Sequence, residues 1–439
     1  MIGRFPSGKH ARLYHYRILL MSSFSSMLLA ASFLVMGSTL HAQDFYLHNG
    51  DRVTFYGDSI TAQRYYTSDI QDFVQTRYPT LQVTYHNAGV PGDKVNGGYA
   101  GDAVARVARD VKPWNPTVIT VMLGMNDGDY VSPDPKIFAD YQSGYEKLLA
   151  LLHAAAPDAR ISLLENTPYD EITHGTEFAG YMATTEQNAR ATPALGQREN
   201  LPVVDTCSPM MQLLQRAKAT DPSFASLLVS DRIHPADPAH WIIAEALMKA
   251  WHMDPVVSDV SLSAASHTVT HSFRTQVSGL SSEGSALDWD QLDEALPLPF
   301  NFDNALMNFV LTISDLSSYD KEILKVDDLQ SGQYELRIDK MLVGSFSSDQ
   351  LAKGINLGTM KTPMWNQARE YDGELNQRSS LENADLILSA GTKVDDKASA
   401  SRILRAGETE FEQRAQADLR IAKHHYTLTR IGQINAPKS

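Results

Sequence analysis

The chain holds a single cysteine, Cys207, so no disulfide can form within it. Basic residues are also scarce. The 38 Lys and Arg stand against 52 Asp and Glu, a formal charge of −14. That balance argues against a general nucleic-acid binder and says nothing positive about a substrate. The apolar stretch at residues 27–36 is too short to span a bilayer comfortably. Residues 89–98 are rich in glycine but lack a Gly-Lys-Ser/Thr ending, which excludes a phosphate-binding P-loop. No internal repeat or low-complexity tract stands out.

What is present begins with a targeting pattern. Arg4, Lys9, Arg12 and Arg17 form a basic segment, and no acidic residue precedes Asp44. An apolar stretch follows, and Ala42 is placed to precede a cut. Residues 1–42 therefore read as a signal peptide. Its loss would remove four positive charges and leave 34 − 52 = −18. An exported protein without disulfides fits a periplasmic or secreted bacterial enzyme, with no stable membrane span after cleavage.

A chain of 439 residues is longer than one core usually holds, so two domains are expected. In the first, short apolar runs alternate with helical sequence. Strands are expected over residues 53–56, 81–85, 117–123, 160–164 and 201–205. Helices are expected over 68–77, 102–111, 137–155 and 238–251. Such alternation predicts a parallel sheet covered on both faces. Ligands then gather at the carboxyl ends of the strands. Ser59, Gly89 and Asn126 each follow a predicted strand, and Asp231 and His234 lie in a loop entering the last helix. An ordinary turn explains any one of these residues, but not their convergence on one rim.

Four segments carry a family resemblance. They are Gly57-Asp58-Ser59-Ile60, Asn87-Ala88-Gly89, Gly124-Met125-Asn126-Asp127 and Asp231-Arg232-Ile233-His234-Pro235. In order and spacing this set resembles the SGNH, or GDSL-type, hydrolases over roughly residues 50–253. The resemblance implies a flavodoxin-like three-layer α/β/α sandwich and hydrolysis of carboxylic esters. It also implies Ser59 as nucleophile, His234 and Asp231 as its partners, and an oxyanion hole from Ser59, Gly89 and Asn126.

The chemistry of these residue types suits those roles. A serine hydroxyl needs a neighbouring base to become a good nucleophile. His234 can take the proton and return it to the leaving alcohol, and Asp231 can orient the imidazole. Backbone N–H groups and the Asn126 amide suit an oxyanion. Asp58 and Asp127 read as structural. His86 and His240 read as surface or packing residues, and Cys207 as an inert buried thiol. His267 and His271 have a ligand-like spacing but sit in a strand-like segment without Glu, so no metal site is expected. No cofactor is implied. Trp241, Trp251, Trp289 and Trp365 read as packing residues.

Beyond Pro255 the pattern changes. Strands are expected over 256–262, 267–277, 309–313, 334–339 and 341–346, and charged helices over 363–388 and 399–420. His424 and His425 are expected in a solvated helical stretch. Residues 256–439 thus read as a C-terminal α+β accessory domain, with 354–357 and 363–369 as candidates to face the active site. The expected function is an exported serine esterase acting on a small-molecule or polysaccharide ester, preferably O-acetyl groups on carbohydrate. The alternatives are a lysophospholipase or thioesterase, and an idle binding protein on the same fold. No nucleic-acid partner is expected.

Overall fold

The computed structural model describes residues 44–178, 180–389 and 396–432. The signal segment expected over residues 1–42 lies outside them. Among the described residues no helix is long and apolar enough to cross a membrane.

The first half is built on β1 (Arg52–Gly57), α1 (Ser59–Ala62), α2 (Tyr65–Arg77) and β2 (Thr84–Gly89). A two-residue hairpin follows, β3 (Gly97–Gly98) with β4 (Gly101–Asp102), and then α3 (Ala103–Arg106). Next come β5 (Val118–Met122), α4 (Pro135–Ala155), β6 (Arg160–Leu164), α5 (Tyr181–Glu199) and β7 (Val203–Val204). Three helices close the unit, α6 (Cys207–Thr220), α7 (Pro222–Leu228) and α8 (Asp237–Ala250). The sheet order is β2-β1-β5-β6-β7, and every pairing is parallel.

Helices cover both faces, so the strands read as unbroken apolar runs rather than alternating ones. Phe55 and Val53 of β1 face Ile70, Phe73, Leu213 and Leu247 on one side. Tyr56, Ile119 and Val121 face Tyr145, Leu148 and Leu195 on the other. This is the three-layer α/β/α sandwich expected from the sequence. The order reverses at β1, whose neighbours β2 and β5 lie on opposite sides. A crevice forms beyond the carboxyl end of such a strand, and Ser59 stands there.

The second half adds mixed sheets and helices. Its elements are β8 (Val256–Ser263), β9 (Thr268–Phe273), β10 (Thr275–Glu283), β11 (Ala286–Asp293) and α9 (Ala305–Ile313). They continue with β12 (Lys321–Asp327), β13 (Gln333–Ile338), β14 (Met341–Ser347), α10 (Ser348–Lys353) and β15 (Ile355–Asn356). The last are α11 (Pro363–Ser389), α12 (Lys397–Asp418) and β16 (His424–Gly432). One sheet runs β10-β11-β16-β13-β14 and the other β15-β12-β8-β9.

Three local expectations are corrected. Residues 309–313 end helix α9 and are not a strand, because Asn304 caps this nine-residue, mostly apolar helix by accepting the Leu306 N–H at 2.9 Å. His424 and His425 lie on strand β16, not a helix, because β16 pairs with β11 and β13. Residues 354–357 do not line the active site. Ile355 pairs with Leu324 on β12 and is buried in the second core.

The chain after β11 also returns to the first unit. Leu298, Phe300, Met307 and Val310 are buried in the core that holds α6 and α8. Phe300 packs edge-to-face on Trp241, ring centroids 4.8 Å apart. Buried Arg77 of α2 pairs with buried Asp320 at 3.2 Å. Helix α11 closes the outer edge of β2. Arg378 donates to the Tyr85 carbonyl at 3.3 Å, and Glu382 accepts the Asn87 N–H at 3.3 Å. An open sheet edge invites foreign strands, and charged side chains finish this one.

Candidate active site

Strand β1 stops at Gly57, where a Cβ would collide with Thr61 and with the Met122 carbonyl. The chain turns there and Asp58 caps α1, accepting the Ile60 N–H at 2.9 Å. Asp58 is buried. Loss of solvent, with Asp127 and Asp93 nearby, pushes its carboxyl up to about 7. Ser59 is the first residue of α1, so its N–H has no partner within the helix.

The Ser59 Oγ lies 2.7 Å from His234 Nε2, and His234 Nδ1 lies 2.6 Å from Asp231 Oδ2. With the proton on Nδ1 directed at the carboxylate, Nε2 is left to accept from the serine hydroxyl. The other Asp231 oxygen accepts the backbone N–H groups of Ile233 at 3.0 Å and His234 at 2.8 Å. Burial pulls the Asp231 carboxyl up, but the His234 and Ile233 bonds outweigh it and hold it below the ordinary value. Arg232 takes the turn in the left-handed region, at φ 71°. Its guanidinium fastens the loop to the 170–177 segment, through the Gly175 carbonyl at 2.6 Å and Glu177 at 2.5 Å. The row lies at the surface. The His234 side chain is 30% exposed and that of Asp231 53%.

Asn126 follows β5 through Gly124, which turns at φ 135° where a Cβ would strike the Asn166 side chain. Asn126 is buried, and both ends of its amide are held. Nδ2 donates to the Asp93 carbonyl at 3.0 Å, and Oδ1 accepts from the Tyr130 hydroxyl at 3.0 Å. One amide N–H remains. Tyr130, at φ 56°, stacks on Tyr181, whose hydroxyl donates to the Met125 carbonyl at 2.5 Å. Asp127 accepts the Val95 N–H at 2.9 Å, and burial raises its carboxyl to about 7.

Gly89 differs from the sequence expectation. Its N–H donates to Asn87 Oδ1 at 3.0 Å, so it is not free for an oxyanion. Its lack of a side chain serves packing, because a Cβ would run into the backbone of Thr61 and Ala62. Gly92 stands three residues on, at φ 71°, in a turn closed by the Asp93 N–H on the Val90 carbonyl at 3.2 Å. Among the described residues the Gly92 N–H has no hydrogen-bond partner. Its neighbour Asp93 is the residue that holds Asn126.

Two further groups escaped the sequence reading. Buried Arg106 donates to Asp93 at 3.0 Å, to the Ala88 carbonyl at 2.8 Å and to Asp110, and it lies over the Tyr56 ring. It binds the ends of β1 and β2 to the loop beneath Asn126. No local pattern marks it. Tyr130 is the second, and its spacing of four from Asn126 is the only hint.

The other candidates fall elsewhere. His86 bonds to Glu382 at 3.0 Å and to the Asp110 carbonyl at 3.0 Å, inside the junction with α11. His240 bonds to Gln63 at 3.1 Å, and burial lowers it to about 3, so it stays neutral. His271 lies on β9 and His267 in the turn before it. Among the described residues no group of three or more His, Cys, Asp or Glu could hold a metal ion. Burial pushes the Cys207 thiol up to about 12, which leaves it unreactive. Trp241, Trp251, Trp289 and Trp365 are all buried.

Residues 55–242 match the family model of the GDSL-like Lipase/Acylhydrolase family. An acetylxylan esterase of Geobacillus stearothermophilus is 25% identical over 218 residues, covering 46% of this chain and 94% of that protein. A solved structure of a gut microbial diltiazem-metabolizing enzyme matches 88% of this chain and 98% of its own, at TM-score 0.74 and 24% identity. It shares the fold across both halves. The crystal structure of the Geobacillus stearothermophilus acetylxylan esterase covers 47% of this chain and 96% of its own, at 25% identity and TM-score 0.38. Through residues 55–242 the chain thus resembles the GDSL-like lipase/acylhydrolases, and that likeness supports an ester-hydrolysing enzyme.

Proposed function

We propose that the protein is an exported serine esterase that removes O-acetyl groups from carbohydrate. The observation that carries the reading is the unbroken row from Ser59 through His234 to Asp231, at 2.7 and 2.6 Å. Ser59 Oγ attacks the ester carbonyl while its proton passes to His234 Nε2. Asp231 holds the imidazolium that forms. The tetrahedral oxyanion takes hydrogen bonds from the Ser59 N–H, the remaining Asn126 amide N–H and the Gly92 N–H, which replaces Gly89 in this role. His234 returns the proton to the leaving alcohol oxygen, and the acyl–oxygen bond breaks. Water then attacks the acyl-serine with His234 as base, releasing acetate and restoring Ser59.

The open position of the row favours a small acyl group on a bulky alcohol over a fatty chain that needs a tunnel. The acetylxylan esterase relative supports carbohydrate as that alcohol. The basic segment and apolar stretch before Asp44 support export of the chain from residue 43 onward.

The test is threefold. A fluorophosphonate probe should label Ser59 alone, and Ser59→Ala should abolish hydrolysis of 4-nitrophenyl acetate. Acetylated xylo-oligosaccharides should release acetate faster than 4-nitrophenyl octanoate releases its acid. Sequencing of the exported protein should find its N-terminus near Gln43. An adduct on another serine, or a preference for octanoyl, would overturn the reading.

A further inference from the structure

A polar cavity of about 130 Å³ lies where α2, the start of α8 and α11 meet. Its floor carries Asp69, which is 4% exposed and whose carboxylate Oδ2 has no hydrogen-bond partner among the described residues. Its mouth carries Tyr65, Asp237 and Asn376, all exposed. Between them stands Asp372, which accepts from Arg369 at 2.7 Å and from the Asn376 amide at 2.7 Å. Arg369 also donates to the Pro299 carbonyl at 3.0 Å. A buried carboxyl facing a cavity without a partner is costly unless something else supplies the bond.

The cavity adjoins the reacting row. Asp237 is three residues from His234, a reach of at most about 11 Å along the chain. The Tyr65 ring lies edge-to-face on His240, centroids 5.3 Å apart, and His240 bonds to Gln63, four residues after Ser59. A group bound here would belong to the alcohol side of an ester whose carbonyl sits at Ser59.

We propose that this cavity is a subsite for a sugar ring of the substrate, beyond the esterified one. The lining mixes carboxyls, carboxamides and a guanidinium around one aromatic ring at the mouth. Hydroxyl groups both donate and accept, so a neutral polyol satisfies all of them, whereas a cation would satisfy the carboxyls alone and face Arg369. Burial, with Asp237, Asp72 and Asp372 nearby, pushes the Asp69 carboxyl well above the usual carboxylate range. Protonated, it too donates and accepts. Tyr65 offers a face on which a sugar ring can rest. The inference rests on the carbohydrate-ester reading and names where such a substrate would be gripped.

The test uses the full chain with Asn376→Ala, on the exposed mouth, and Asp69→Asn, which keeps the side-chain volume. Both variants should hydrolyse 4-nitrophenyl acetate within about twofold of wild type. For acetylated xylotetraose both should raise KM at least about fivefold with kcat little changed. Calorimetry with unacetylated xylotetraose should show binding to wild type and loss of it in both variants. If acetylated xylotetraose is a good substrate and the variants match wild type on it, the subsite is wrong and the carbohydrate reading stands. If wild type binds unacetylated xylotetraose at this cavity but cleaves no sugar ester, the reading fails and the subsite stands. Equal losses on both esters, competition by organic ammonium ions without sugar binding, or a cavity that takes only solvent would each overturn the subsite.

Discussion

The Tyr130 hydroxyl and the Asn126 side chain meet at 3.0 Å, oxygen to oxygen, so the asparagine presents its nitrogen and not its carbonyl toward the rest of the rim. The Asp93 carbonyl fixes the same orientation from the nitrogen side at 3.0 Å.

Asn126→Ala should therefore lower kcat by about a hundred- to a thousand-fold with KM little changed, the usual loss for one oxyanion donor. Tyr130→Phe keeps the ring stacked on Tyr181 and removes only the hydroxyl. It should cost about tenfold in kcat, near one hydrogen bond's worth. In an Asn126→Ala background it should cost almost nothing. Additive losses would show that Tyr130 acts on the reaction by some other route.

Asp231→Asn should leave the fold intact and lower kcat by roughly a hundred- to ten-thousand-fold, because His234 loses its orienting carboxylate. Steady-state kinetics on both proteins, with circular dichroism of the variant, checks this, and an unchanged kcat in a folded variant would overturn it.

Glu382 should make folding acid-sensitive. It pairs with Arg64 at 2.6 Å and bonds to His86, both side chains of the ion pair being only 9% exposed. Burial alone would raise its carboxyl, but Arg64 and His86 outweigh burial and hold it at about 2, against an ordinary value of 4.5. A depressed folded-state value means stability that is whole above about 4.5 and lost as the pH falls toward 2, of order 3 kcal/mol. Glu382→Gln strands Arg64 without its counter-charge and should cost about 3–5 kcal/mol at pH 7. The gap between variant and wild type should close in acid. Urea unfolding of both proteins at several pH values measures it, and a constant gap would sink the idea.

Ending the chain after Asp254 should abolish cooperative folding. The cut removes Phe300 from Trp241, Met307 from the core beside α8, and Asp320 from fully buried Arg77. A soluble monomer with a sharp thermal transition and wild-type kcat/KM would refute this.

The parallel sheet was legible because its strands are buried on both faces, so Val118–Met122 reads as a strand from its residues alone. The four polar segments at the strand ends were legible too, since short strands carry their loops to one edge. Gly89 and Gly92 could not be told apart, because both are glycines after one strand. Only the Asn87 side chain, which takes the Gly89 N–H, separates them. Strand β16 was hidden for a different reason. Its partners β11 and β13 lie far back in the chain, and pairing rather than local pattern makes His424–Gly432 extended. Helix α9 was mistaken because a short apolar run suits either element. Arg106 was invisible, since all its partners but Asp110 lie on β1, on β2 and in the loop after β2, well back in the chain.

The bond between the Asn87 N–H and Glu382 joins residues 295 positions apart. On a ribosome adding about 5–20 residues per second, roughly 15–60 s separate the appearance of β2 from that of the helix that finishes it. For that interval a nascent chain that had already formed its central sheet would carry a raw strand edge. Export in an unfolded state, or a chaperone resting on Thr84–Gly89, would bridge the gap, and the timing of synthesis thus becomes part of how this enzyme reaches its native form.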